Sequence, residues 1–172
     1  MPRRVAPAWF RAMLAPAVAL VLGAPSLAAQ AAPPDKVSKS IDRVYGAGAR
    51  ADTVVVDSQT VYRVSRGGAL LGFAEVRNVK GKEQPITYLV AVDSAGATRD
   101  VDILVYRESQ GGEVAYDSWR KQFRGKTSGD PIEIGKDIRN ISGATISSNA
   151  VTRSVRLALR QLADWRAAGK LK

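Results

Sequence analysis

The chain has no cysteine and no histidine among its 172 residues, and each absence removes a class of chemistry. Without cysteine there is no disulfide framework, no Fe–S cluster, no C-x-x-C-H haem attachment and no thiolate zinc site. Without histidine, the commonest general base and the commonest metal ligand are missing. Neither catalytic residues nor a metal site are therefore expected. Aromatic residues are sparse, at 6%, with no cluster of the kind that stacks nucleobases. The basic residues are scattered among acids without a long run, so no nucleic-acid partner is expected. No internal repeat is visible.

What is present is positive charge and a patterned chain. The formal net charge is +10, a balance that favours an anionic membrane surface or an acidic protein partner. Arg3, Arg4 and Arg11 precede an apolar stretch at residues 12–24, and Ala29-Gln30-Ala31 supplies a small-residue cleavage site. These are the three parts of a secretory signal peptide, so residues 1–31 are expected to be removed. The rival is an uncleaved anchor, since no charge lies between Arg11 and Asp35 and that length can span a bilayer. Pro16, Pro25 and the small-residue tail count against it. On either reading the remaining chain is expected to be exported, in the periplasm or at the outer face of the plasma membrane. Losing the three N-terminal arginines leaves 23 basic against 16 acidic residues, a net +7.

Residues 32–58 read as a linker and a short helix. Val37, Ile41 and Val44 recur at helical spacing, Gly46 and Gly48 stop the run, and the helix is expected to cover a sheet edge. Strands are expected near residues 52–57, 60–66, 69–79, 85–93 and 98–108. The breaks between them include Gly67-Gly68, the Lys80-Gly81-Lys82 turn and Asp93-Ser94-Ala95-Gly96. Connections this short demand antiparallel pairing. Residues 113–123 can form a helix with Tyr116, Trp119 and Phe123 on one face, either a core stripe or a pocket wall for a flat ligand. Residues 125–137 read as loop. A last helix over 148–167 would bury Val151, Val155, Ala158, Leu159 and Leu162 and turn Arg153, Arg156 and Arg160 to solvent. The expected fold class is α+β, a twisted antiparallel sheet flanked by helices in a single domain.

Where the polar loop becomes the last helix, the chain reads Ile-Ser-Gly-Ala-Thr-Ile-Ser-Ser from Ile141 to Ser148. A helix start offers unpartnered N–H groups and the positive end of the macrodipole, and so suits a phosphate. Gly143 and Ala144 leave room for close approach of the backbone. Ser142, Thr145, Ser147 and Ser148 can donate hydrogen bonds to phosphate oxygens. The same hydroxyls could instead simply cap the helix, although a cap needs one hydroxyl and four are present.

Ser142-Gly143-Ala144-Thr145-Ile146-Ser147-Ser148 resembles the S(T)GAT motif of the FMN-binding domain family, shared by the C subunit of sodium-translocating NADH:quinone reductase and the G subunit of the Rnf complex. "YRESQGGEV" is similar to the family's Glu-Thr-x-Gly element, with Glu108, Ser109 and Gly111 at matching places and Ser109 in place of Thr. Residues 123–126, "FRGK", are similar to a segment between the two motifs. The resemblance implies an FMN-binding domain over residues 59–167. It implies FMN as cofactor, phosphoester-linked to Thr145 by a flavin transferase that uses FAD, with Ser142, Gly143, Ala144, Ile146, Ser147, Ser148, Glu108 and Ser109 around it. It further implies an electron-transfer relay, not an enzyme, that serves redox partner proteins or a membrane electron-transfer complex. Flavin brings its own redox chemistry, which suits a chain without histidine or cysteine. One departure is Arg139, where many members carry Asp three residues before the motif's Ser; here Asp137 lies two residues further upstream. Two other readings stand beside this one: an exported module that binds a phosphorylated ligand or flavin reversibly without a redox role, and a structural module in which the motif only caps a helix.

Overall fold

The computed structural model describes residues 35–171; the expected export segment, residues 1–31, lies outside them. Helix α1 (Asp35–Tyr45) leads into five strands, β1 (Arg50–Val56), β2 (Gln59–Arg66), β3 (Ala69–Lys80), β4 (Pro85–Asp93) and β5 (Thr98–Val105). They form one open sheet in the order β1-β2-β3-β4-β5, and neighbouring strands are antiparallel. The fold is α+β in a single domain, as the turn spacing demands. The β4–β5 turn shows how: Asp93 Oδ1 accepts the N–H groups of Ala95 and Ala97, both at 2.9 Å, so the aspartate organises its own turn.

Alternation along the strands gives the sheet two apolar faces. Val61, Phe73, Ile86, Tyr88, Val90 and Val101 point to one side, where they meet Val151, Val155, Ala158, Leu159 and Leu162 of the long helix α3 (Thr145–Ala167). Tyr62, Val64, Ala74, Leu89 and Ala91 point to the other, where they meet Val37, Ile41 and Tyr45 of α1. Helix α1 thus lies on a sheet face, not along an edge, because its apolar side is wide enough to cover β3, β4 and β5 together. The segment read as linker and short helix supplies both α1 and β1 to the same sheet.

Two segments differ from expectation. Strand β5 ends at Val105, so Tyr106, Arg107 and Glu108 leave the sheet. The helix expected over 113–123 is broken into a 3₁₀ turn at Gly112–Ala115, a short α2 (Asp117–Arg120) and a second 3₁₀ turn at Lys121–Phe123. The break is at Tyr116, which is extended (φ −72°, ψ 136°) and 61% exposed. Trp119 and Phe123 remain in the core, edge to face at 5.1 Å. Charged groups hold α1 and α2 to β5: buried Asp100 pairs with Arg120 and with Arg43, both at 2.8 Å. Among the described residues no helix is long and apolar enough to cross a membrane.

Candidate functional site

Helix α3 starts at Thr145, three residues earlier than the apolar periodicity suggests, with Ala144 as its N-cap. Gly143 sets up this entry in the left-handed region (φ +82°), with open space where a side chain would project. No side chain caps the helix, so the reading of the hydroxyls as a cap is not met. The first backbone bond into the helix is from Ser148 N–H to Ala144 O at 2.9 Å. The N–H groups of Thr145, Ile146 and Ser147 have no partner among the described residues. Three free donors at the positive end of a 23-residue helix make a ready anion site.

The hydroxyls of the stretch are used unequally. Thr145 is exposed, and its Oγ1 accepts a hydrogen bond from Asn140 Nδ2 at 3.1 Å. Asn140 Oδ1 in turn accepts from the Ser148 hydroxyl at 2.6 Å. Ser148 is fully buried and turned inward, so it positions Asn140 and does not face solvent. Ser147 is also buried, with its Oγ 2.9 Å from the Tyr106 hydroxyl, which itself donates to Gln110 O. Ser142 is exposed beside Thr145.

A pocket of about 270 Å³ opens against this helix start. Six of the expected site residues line it: Glu108, Ser109, Gly143, Ala144, Ile146 and Ser147. Thr145 stands outside its wall, as do Ser142 and Ser148. Four further residues complete the lining, Lys82 and Glu83 from the β3–β4 turn and Gln110 and Gly111 after β5. Of these, Gly111 belongs to the recognised element, whereas a lysine in a polar turn carries no sequence signal. The Glu108 carboxylate accepts the N–H groups of Glu83 at 2.8 Å and Gln84 at 3.1 Å. Those bonds, the Glu83 amide first, hold its pKa below the usual carboxylate value. Glu108 therefore ties the β3–β4 turn to the pocket. A Cβ at position 81 would meet the Glu108 carboxylate, which would have to shift to admit it. Gly111 is required twice over: its φ is +86°, and a Cβ there would come within 2.7 Å of the Tyr106 hydroxyl.

The chain ahead of the motif is pinned from α2. Trp119 Nε1 donates to Arg139 O at 2.9 Å, and Arg139 N–H donates to Gln122 Oε1 at 2.8 Å. Asp137 accepts the N–H groups of Glu133 at 2.8 Å and Ile132 at 3.1 Å and pairs with Lys126 at 2.8 Å. Burial opposes its ionisation, but Lys126 and the two amides outweigh burial and lower its pKa. Asp137 is thus spent on its own loop. Arg139 presents an exposed side chain near the motif.

Residues 81–160 match the FMN-binding domain family. Over those residues the chain is similar to an FMN-binding domain. Its cofactor is FMN, and the residues present suit it: unpartnered amides for a phosphate, a hydroxyl beside them, and a pocket for part of a ring. At about 270 Å³ that pocket is smaller than the ~300–1,000 Å³ usual for ligand sites, so much of a bound flavin would stay in solvent. This chain is 32% identical over 112 residues to the G subunit of the proton-translocating ferredoxin:NAD(+) oxidoreductase complex of Clostridium ljungdahlii, covering 60% of each chain. It is 32% identical over 91 residues to the G subunit of the ion-translocating oxidoreductase complex of Pseudomonas aeruginosa, covering 46% of this chain and 42% of that one. The chain therefore spans between about two fifths and three fifths of the length of these relatives.

Proposed function

We propose that this chain is an exported electron-transfer flavoprotein whose FMN is joined through a phosphoester to Thr145. The observation that carries the reading is the exposed Thr145 hydroxyl beside three amides that nothing among the described residues satisfies. The phosphodiester would place its negative charge at the positive end of α3. Asn140 holds Thr145 Oγ1 as a donor, which leaves the Thr145 O–H free to face a transferase. In the linkage step the Thr145 oxygen bonds to the FMN phosphorus of FAD, the pyrophosphate bond breaks, AMP leaves and the threonine proton is released. Arg139 and the engaged Asp137 put the burden of recognition on the motif and its surrounding shape.

When bound, FMN supplies the redox chemistry, and the protein anchors and orients it. The two relatives, each named as part of an oxidoreductase complex, support a place within a membrane redox complex, with the chain as a non-catalytic carrier between protein partners. A tether would suit a flavin that is only partly enclosed, since an exported carrier could otherwise lose it. Intact mass of the full chain, produced with a flavin transferase in an exporting host, tests this reading. A gain of one FMN that survives denaturation is expected. Colour that leaves on denaturation would mean reversible binding, and a colourless chain of unmodified mass would overturn the flavin reading.

A further inference from the structure

The solvent face of α3 has a feature that flavin binding does not use. Ile146, Ala150, Arg153, Leu157 and Arg160 follow one another at spacings of four and three residues and so form one stripe along the helix. Ile146 is 52% exposed and Leu157 54% exposed, two of the large apolar side chains left open by the fold. Beside them a groove of about 260 Å³ runs between α3 and the end of β3, with Val79, Ala150 and Leu157 as its apolar surface and Lys80 and Arg153 at its rim.

The charge along this stripe has one sign. Residues 146–160 include three arginines and no acid. Arg156 is paired with Glu133 at 3.7 Å, whereas Arg153, Arg160 and Lys80 have no ion-pair partner among the described residues. Exposed aliphatic groups framed by unpaired cations match the make-up of a protein docking patch, with an apolar centre and a charged rim. The stripe begins at Ile146, which also lines the flavin pocket, and Leu157 lies about 16 Å further along the helix.

We propose that this stripe is the docking surface for an acidic electron-transfer protein, which seats an apolar side chain in the Val79–Leu157 groove and sets its carboxylates against Lys80, Arg153 and Arg160. The concave groove accepts a protruding side chain, which favours a protein over a lipid surface. The inference rests on the flavin reading, because Ile146 brings the docked carrier beside the Thr145 anchor. One electron passes per encounter, and the carrier is oxidised as the flavin is reduced.

The test uses the FMN-loaded full chain, its loading read by intact mass, mixed anaerobically with reduced plant-type ferredoxin as an acidic one-electron probe. For the wild type, the bimolecular rate of flavin reduction should fall steeply as salt rises. Leu157→Asp and Arg153→Glu should each slow it about tenfold at low salt, with loading unchanged. Val55→Asp is the control, since Val55 is 69% exposed on β1 and, lying between Val54 and Val56 of the α3-side core, faces the other side of the sheet from the groove; it should leave the rate unchanged. Equal rates for Leu157→Asp and Val55→Asp, or a rate indifferent to salt, would overturn the docking surface alone. Co-sedimentation with anionic phospholipid vesicles that is lost in Leu157→Asp, with an unchanged ferredoxin rate, would assign the stripe to a membrane and overturn it too. Failure of the wild type to gain FMN would remove the flavin reading, and this proposal with it.

Discussion

The two ends of α3 are built on opposite plans. At the C-terminal end the polar groups are paired: Ala168 N–H donates to Asp164 O at 2.9 Å and Lys170 N–H to Trp165 O at 2.8 Å. Trp165 Nε1 donates to Asp57 Oδ2 at 2.8 Å, Lys170 pairs with the same carboxylate, and the Arg166 guanidinium donates to Ser94 O and Ala95 O. At the N-terminal end no side chain caps the helix and three amides stay open. One end fastens the helix to the β1–β2 and β4–β5 turns. The other leaves its donors open, and the side chains near it hold Thr145 and the pocket wall in place.

The largest expected effect divides the two ends outright. Thr145→Ala should abolish the covalent FMN mass gain while shifting stability by no more than about 0.5 kcal/mol, since the residue is exposed. Trp165→Ala should do the reverse, with a loss of about 3–5 kcal/mol in urea unfolding and full loading of the molecules that fold. A variant that lost both properties together would break the contrast.

Gly111→Ala comes next. It forces a side chain into a left-handed backbone against the Tyr106 hydroxyl, at a cost of about 1–3 kcal/mol. The pocket wall should be displaced with it, so flavin loading should fall in parallel, as read by absorbance per folded protein. Ala144→Ser sharpens the comparison from the other side. A serine at the N-cap can accept one of the open amides, which should stabilise the flavin-free protein by about 1 kcal/mol and slow loading by competing for the phosphate site. If loading is unaffected, the open amides are not where the phosphate binds.

The smallest effect is in pH. Hydrogen bonds from Lys170 and Trp165 lower the pKa of Asp57, so its folded value lies below its unfolded value of about 3.9. The stability it contributes is complete above that value and is lost as pH falls through the folded pKa. Asp57→Asn should therefore flatten the decline of the urea midpoint as pH falls below about 4, with no change in loading at neutral pH.

The closed end and the sheet were legible because their signals are local. Turn residues such as Gly67-Gly68 and Asp93 mark hairpins, and the recurrence of Val151, Val155 and Leu159 marks a buried helix face. The motif at Ser142 to Ser148 was legible as a word. The division of labour among its hydroxyls was not, because it depends on Asn140, Tyr106 and the particular turn at which the helix begins. Lys82 and Glu83 reach the pocket across some sixty residues of sequence, through the hairpin geometry of β3 and β4, and no spacing rule announces that. The helix expected over 113–123 failed for a similar reason. Trp119 is drawn to the carbonyl of Arg139, and a continuous helix through Tyr116 gives way to that contact.

The outer edge of β5 bears on how copies of the chain can meet. Thr98 exchanges backbone bonds with Gly125 and Lys126, both at 2.8 Å, while Arg120 and Lys36 donate to Val101 O and Leu104 O. That edge is covered against a further strand, and among the described residues β1 is the edge that no other strand pairs. Growth of a fibre by strand addition needs two open edges on each molecule. Here an added copy could pair only β1 to β1, so such association would stop at two.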